Sequence, residues 1–402
     1  MTRSKAATER PGPPSRETAV RAPVTFIEPD RRAGGPEDGM ALCLSGGGYR
    51  AMVFHAGALI RLNEAGMLRP LKRVSSVSGG SIAAGVLGLK WSALRFGPDG
   101  AAGGLMQEVI EPILKMASRT IDVPSIIKGK LLPGSVADKV AAAYDRVLFK
   151  GATLRDLPTD EQGPRFVINA TSVQTGALWR FSRPYMADYL VGQYPDPDVT
   201  LARAVAASSA FPPALSPAVL RLDPRRFVRD RSCPLQQEPY TRRAVLTDGG
   251  VYDNLGLETA WKRYRTLLVS DAGGKLEPSP RPRAEWVAHT MRVLGLIDNQ
   301  VRALRKRQLI TSFKLRGGPL RRRGTYWGIR TQIADYGLAD PLPCPEERTL
   351  ELANIPTRLA AMDSRLQKRL INWGYAVCDA AIRRHVDRRL GRPDGFPFAG
   401  GV

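Results

Sequence analysis

Only three histidines, His55, His289 and His385, occur among 402 residues, and the four cysteines, Cys43, Cys233, Cys344 and Cys378, lie far apart with no C-x-x-C pair and no histidine near them. That spacing argues against a disulfide framework and against a structural zinc site. It fits a reduced, cytoplasmic setting. Nowhere does the chain approach the ~20 apolar residues of a membrane-spanning helix, and its first residues, MTRSKAATERPGPPSRETAVRAPV, lack the apolar core of a signal peptide. Any membrane contact is therefore expected to be peripheral, at the inner face of a membrane. Negative charge is scarce: 38 Asp and Glu stand against 60 Lys and Arg, a net charge of +22. Such an excess favours anionic partners without choosing between nucleic acid and acidic lipid.

Residues 1–38 carry Pro, Gly and alternating charge without hydrophobic periodicity, and are expected to form a disordered tail. From Met40 onward short apolar runs alternate with helical patterns: ALCLS, YRAMVFHAGALIRLNEAG, KRVSSVS and GSIAAGVLGLKW read as strand, helix, strand, helix. Further strands are expected at RFVINATSV, LWRFS, RAVLT and TLLVSD, with a helix at NLGLETAWKRY between the last two. This alternation predicts an α/β core over 39–275 built on a mostly parallel sheet. Residues 276–402 are expected to form a mainly helical region packed on that core, with one helix from about Glu285 to Phe313 and another from just after Pro356 to about Leu390.

Two glycine-rich turns carry the candidate chemistry. LSGGGYR sets Gly46, Gly47 and Gly48 between an apolar strand and a helix, where backbone N–H groups can hold a developing negative charge, with Arg50 adding positive potential or a structural hydrogen bond. Alone, this motif also suits a phosphate-binding loop or a plain turn. About thirty residues on, KRVSSVSGGSIAAGVLG gives a strand, a turn of small residues and a second helix, the setting of a nucleophile elbow. Two registers compete. Ser76 to Gly80 matches G-x-S-x-G except at Ser76, and Gly79 to Ala83 matches except at its last residue. Ser78 is preferred because the strand ends directly against it, while Ser81 sits in the first helical turn.

A serine nucleophile needs a base in hydrogen-bonding reach. The three histidines fall in helical patterns rather than loops, so a carboxylate is the better candidate. In RAVLTDGGVYDNLGLE, Asp248 ends an apolar strand before two glycines, where open α/β sheets place their sites. Asp253 reads as a cap or turn residue. Asp271 in LLVSDAGG is the nearest rival and is expected on a neighbouring strand, one helix later.

The glycine triplet with Arg50, the S-V-S-G-G elbow, A-S-S-A-F-P-P at Ala207 to Pro213 and D-G-G after a strand, in this order, resemble the patatin-like phospholipase family over about Met40 to Gly274. The resemblance implies a three-layer α/β/α fold and a Ser-Asp dyad that hydrolyses acyl esters of phospholipids or related lipids without a metal or cofactor. It implies Ser78 as nucleophile, Asp248 as base, and Gly47 and Gly48 as oxyanion donors supported by Gly46 and Arg50. Pro212 and Pro213 fix a rigid turn, or with Phe211 and Leu215 shape a lipid channel.

Three other readings stay open. One is a Ser-His-Asp triad using Ser78, Asp248 and His289 in the chain order of α/β-hydrolases, against which the early elbow argues, since it closes only the second strand. Another is a basic nucleic-acid-binding scaffold, prompted by PLRRRGTYWGI, although no specific nucleic-acid motif is present. A membrane-interface patch of Arg321, Arg322 and Arg323 beside Tyr326 and Trp327 accounts for the same residues. The last is a catalytically idle scaffold, against which the intact Ser78 and Asp248 argue. Oligomeric state is not legible.

Overall fold

The computed structural model describes residues 36–122, 125, 127 and 135–402, so the expected tail up to residue 35 lies outside the described residues. Strand β1 (Glu37–Leu44) leads into helix α1 (Gly48–Glu64), and β2 (Leu71–Val77) into α2 (Gly79–Lys90). Then follow β3 (Arg165–Ser172), β4 (Leu178–Phe181), β5 (Tyr185–Asp188), β6 (Gly192–Pro195), α3 (Leu201–Ser208), β7 (Ala218–Arg221) and β8 (Arg243–Asp248). After a short helix α4 (Gly250–Asp253), the stretch expected to be one helix from Asn254 holds only α5 (Glu258–Trp261), and β9 (Tyr264–Asp271) follows. The last elements are α6 (Trp286–Lys314), β10 (Arg323–Gly328), α7 (Glu346–Ala353) and α8 (Ser364–His385).

These ten strands form one sheet in the order β10-β9-β1-β2-β3-β4-β5-β6, with β8 paired to β3 and to β7. The five strands from β10 to β3 run parallel, and the rest add antiparallel at the β3 side. Alternate residues of β1 serve opposite faces, as the pleat requires. Leu42 and Leu44 enter a large core with Met52, Phe54 and Ile82, whereas Ala41 and Cys43 pack with Leu255, Leu257, Ala260 and Leu309. Helices thus cover both faces, giving three layers in an α/β/α arrangement.

The C-terminal part is not only helical, because β10 extends the central sheet beside β9. Helix α8 lies against α1 with almost no gap. A Cβ on Gly57 would stand 2.0 Å from the Ile371 carbonyl oxygen, and one on Gly374 2.0 Å from that of Phe54. Near this crossing the buried Arg61 guanidinium pairs with Asp379 at 2.8 Å. The expected helix after Pro356 starts later, at Ser364, where the Asp363 carboxylate accepts the Leu366 N–H as an N-cap. The intervening segment stays non-helical because its polar groups are used elsewhere: Arg358 O accepts the Tyr49 N–H, and Ile355 O and Thr357 Oγ1 accept from Arg50.

Candidate active site

Strand ends bring the chemistry together. β2 stops at Val77, whose partner on β3 is Asn169, and β8, running the other way along the same edge of β3, stops at Asp248, paired with Ala170. Asn169 and Ala170 are adjacent, so the two carboxyl ends meet head to head about one residue rise apart. A Cβ on Gly249 would meet the Asn169 carbonyl oxygen at 2.3 Å, which is why small residues follow Asp248.

Ser78 occupies the turn between β2 and α2 with φ 51° and ψ −120°. Positive φ in a non-glycine residue costs roughly 1–3 kcal/mol and persists only when its surroundings hold it. Here the Ser78 N–H donates to Ser208 Oγ at 2.9 Å, and Ser208 Oγ donates to Asn169 O at 2.6 Å. The flanking glycines touch backbone directly: a Cβ on Gly79 would stand 2.0 Å from Gly48 O, and one on Gly80 2.4 Å from Leu44 O. The two glycine-rich turns are therefore packed against each other.

Ser81 is fully buried, donates to Ser76 Oγ at 3.0 Å and lies 2.9 Å from Ser208 Oγ. It belongs to the support of the turn. The same contact explains how Ser76 stands where the motif has glycine, since its hydroxyl accepts from Ser81 and is itself buried. Ser208, in the A-S-S-A-F-P-P segment, holds the Ser78 backbone, a contact that sequence reasoning missed. Its only sequence signal is that hydroxyl residues end a helix ahead of the D-G-G strand. Phe211, in contrast, is exposed.

Asp248 is 2% exposed. Burial pushes its carboxyl up to about 7, against the Gly250 N–H at 2.7 Å and a hydrogen bond with the Ser78 side chain that pull it down, while the Asp298 charge on α6 raises it. Asp271 stands elsewhere: β1 and β2 separate β9 from the β3 edge on which β8 lies, so it is not on a strand neighbouring that of Asp248. Burial would raise its carboxyl, but Arg302, the Gly273 N–H at 2.9 Å and the Tyr326 hydroxyl at 2.8 Å hold it low. Asp253 caps the following turn, accepting the N–H groups of Leu255 and Glu258.

None of the histidines hydrogen-bonds Ser78 or Asp248. His55 is buried with Nε2 2.9 Å from Ser45 O and Nδ1 2.8 Å from Ser270 Oγ; because a carbonyl only accepts, the proton sits on Nε2. Burial lowers its pKa to about 4. His289 is exposed on α6, and His385 meets the Tyr336 ring edge-on.

In the first glycine turn, Gly47 (φ 145°) and Gly48 (φ 61°) have conformations that favour glycine, and a Cβ on either would stand 2.6 Å or less from a carbonyl oxygen, of Ala272 or Arg358. Among the described residues their N–H groups have no acceptor, as expected at a helix N-terminus. The Gly46 N–H differs: it donates to Asn254 O at 3.0 Å. Arg50 is buried and its terminal nitrogens bind Ala272 O, Ala353 O, Ile355 O and Thr357 Oγ1, which makes it a clamp on the turn. The triple-arginine run is also structural in part. Arg322 is 4% exposed, lies 4.4 Å over the Trp261 ring and donates to Trp261 O and Pro319 O, while Trp327 is buried in β10. The expected membrane or nucleic-acid patch there reduces to Arg321 and Arg323, because Trp261 holds Arg322 just ahead of β10 and the strand buries Trp327.

Fold and site together define a three-layer α/β protein with a serine on a strained strand-to-helix turn. The patatin-like phospholipase family model matches residues 42–261, more than half of the chain, and the chain belongs to that family. Among solved structures, human GIVD cytosolic phospholipase A2 is similar at 13% identity over 85% of this chain and 58% of its own, with a TM-score of 0.49. VipD from Legionella pneumophila matches at 15% identity over 86% and 66%, TM-score 0.36, and the type III effector ExoU at 14% over 88% and 54%, TM-score 0.33. The chain thus spans less than two thirds of the human protein's length. No curated protein matches it.

Proposed function

We propose that this protein is a lipid acyl hydrolase in which Ser78 is the nucleophile and Asp248 the general base, acting on ester bonds of phospholipids or related lipids. The observation that carries the reading is the head-to-head meeting of β2 and β8, which sets a strained serine against a buried carboxyl whose pKa is raised to about 7. A base with a pKa near the working pH both accepts and returns a proton readily. Asp248 takes the hydroxyl proton as Ser78 Oγ attacks the ester carbonyl, and the Gly47 and Gly48 N–H groups bind the oxyanion. Gly46 and Arg50 hold that loop in place. The tetrahedral intermediate expels the alcohol, which leaves with the proton held by Asp248, and water then cleaves the acyl-serine with the same carboxylate as base.

Peripheral contact with an anionic membrane accompanies this reading. Helix α6 exposes Trp286 at 77%, together with Leu294 and Ile297, in a chain of net charge +22, and apolar side chains beside cations suit an acidic lipid surface. Among the described residues no helix is long and apolar enough to cross a membrane. The test is product analysis by mass spectrometry after incubating purified protein with mixed phospholipids. Wild type should release fatty acid and lysolipid, and Ser78→Ala should release none; equal release would refute the assignment.

A further inference from the structure

A cavity of about 220 Å³ opens beside the candidate active site, at the carboxyl ends of β9 and β10 under the middle of α6. Its lining brings four cations, Lys275, Arg302, Lys306 and Arg330, around one carboxylate, Asp271. Asp271 already has two donors, Tyr326 Oη at 2.8 Å and the Gly273 N–H at 2.9 Å, and an ion pair with Arg302 at 3.6 Å. It can offset one cation. Arg330 has Glu277 at 3.3 Å, a side chain 62% exposed and so in a weak, screened pair. Among the described residues Lys275 and Lys306 form no ion pair, and Lys306 has instead the face of the Tyr326 ring at 4.4 Å. The buried Nε atoms of Arg302 and Arg330 have no partner.

This excess of positive charge is felt by a third guanidinium. Arg50 is brought down to about 10, first by burial and then by the charges of Arg330 and Arg302. Gathering like charges in a partly enclosed space is unfavourable unless an anion joins them. The cavity has the composition that phosphate oxygens take: two planar guanidinium forks, two ammonium groups and a phenol ring at the wall.

We propose that this cavity binds a phosphate group, either the headgroup phosphate of a lipid or free phosphate. Its position suits the first source. One wall is Gly273, where a Cβ would meet Arg302 at 2.3 Å and Asn254 Nδ2 at 2.8 Å. The amide oxygen of the same side chain faces the glycine turns: Oδ1 lies within 2.6 Å of where a Cβ on Gly46 or Gly250 would stand, and the Asn254 backbone carbonyl accepts the Gly46 N–H. One side chain thus stands between the phosphate cavity and the turns that hold Ser78 and Asp248. Asp271 ends β9 and Ser78 follows β2, with β1 between them, so the two strand ends stand about 10 Å apart at ~4.8 Å per strand, a span that the glycerol and phosphate of a lipid bound at Ser78 can bridge. The headgroup source rests on the proposed hydrolase reading, whereas the phosphate site itself does not.

The test uses the full chain with Lys306→Gln, and Arg307→Gln as control, because Arg307 is the next residue of α6, is exposed and does not line the cavity. Inorganic phosphate is titrated by calorimetry into both variants on a Ser78→Ala background, so that binding is read without turnover. We expect one phosphate per chain, with affinity about fivefold to tenfold weaker in Lys306→Gln, the scale of one charge-assisted contact at a partly exposed site. It should be unchanged in Arg307→Gln and restored by Lys306→Arg. Absence of phosphate binding, or equal loss in both variants, overturns the proposal. Hydrolysis by the Ser78 forms then separates the sources. A raised KM for phosphatidylglycerol vesicles in Lys306→Gln, with monoacylglycerol micelles unaffected, assigns the site to the headgroup. Unchanged KM values with weakened phosphate binding assign it to free phosphate. Phosphate binding in a chain that hydrolyses no ester overturns the function reading and leaves the site standing.

Discussion

Asp248→Asn should cost activity and increase stability, and the two effects have one cause. Burial raises the Asp248 carboxyl from 3.8 to about 7, a shift of about 3 pH units, or roughly 4 kcal/mol at 1.36 kcal/mol per unit. The folded state therefore binds this proton more tightly than the unfolded chain. No stability is lost below pH ~4, where both states are protonated; the penalty accrues between pH ~4 and ~7, where only the unfolded chain has ionised, and levels off above. Asparagine has nearly the same shape, can still accept the Gly250 N–H and never ionises. We expect the variant and wild type to be nearly equally stable at pH 4 and below, with the gap opening by ~1.4 kcal/mol per pH unit toward pH ~7 and reaching roughly 4 kcal/mol in favour of the variant at pH 8. Denaturant unfolding at pH 4 and pH 8 measures this. Turnover of a soluble ester should meanwhile fall by ~100-fold or more, the usual scale for losing a positioned base. In wild type the rate should drop about tenfold per pH unit below ~7 as Asp248 protonates. A variant less stable than wild type at pH 8, or a stability gap that ignores pH, would refute the reasoning.

Ser208→Ala removes the acceptor of the Ser78 N–H and should lower kcat about tenfold, an unsatisfied buried donor costing ~1–3 kcal/mol, with KM kept and the fold intact; Ser209→Ala, whose hydroxyl binds Val205 O, should change kcat little, and equal kcat values would refute the positioning role. Fluorophosphonate labelling followed by peptide mapping should find Ser78 and not the buried Ser81, and His289→Ala should leave both labelling and the pH profile unchanged. Gly57→Ala would gain ~1 kcal/mol from helix propensity alone, yet should lower the unfolding temperature, because its Cβ meets the Ile371 carbonyl oxygen at 2.0 Å and overpacking costs roughly 1–3 kcal/mol or more. Leu294→Asp with Ile297→Asp should weaken binding to anionic liposomes while sparing soluble ester turnover, whereas Arg322→Glu should reduce thermal stability; liposome affinity indifferent to the α6 pair would remove that helix from membrane contact.

Local signals in the sequence determined six of the ten strands of the sheet (β1, β2, β3, β4, β8 and β9), the two glycine turns and the order of Ser78 and Asp248, because apolar runs, strand length and the glycine requirement of tight turns are properties of neighbouring residues. The position of Ser78 on the turn and of Ser81 inside the helix was legible for the same reason: a strand that ends against a serine leaves it on the turn. What brought Ser78 and Asp248 together was decided by tertiary register. β8 runs antiparallel on the β3 edge that β2 vacates after Val77, and no pattern in RAVLTD distinguishes that from a parallel neighbour. The same limit hid Ser208, whose role depends on a turn 130 residues away. It hid the use of residues 354–363 to clamp Arg50, which delays α8 beyond the proline that would otherwise start it. The arginine run read as uniformly exposed because Arg322, just ahead of β10, is buried by a long-range contact with Trp261, and charge in a sequence does not say which distant ring will cover it. Short-range chemistry is written in order along the chain, while partners set by sheet pairing and backbone contact exist only once distant segments share an edge.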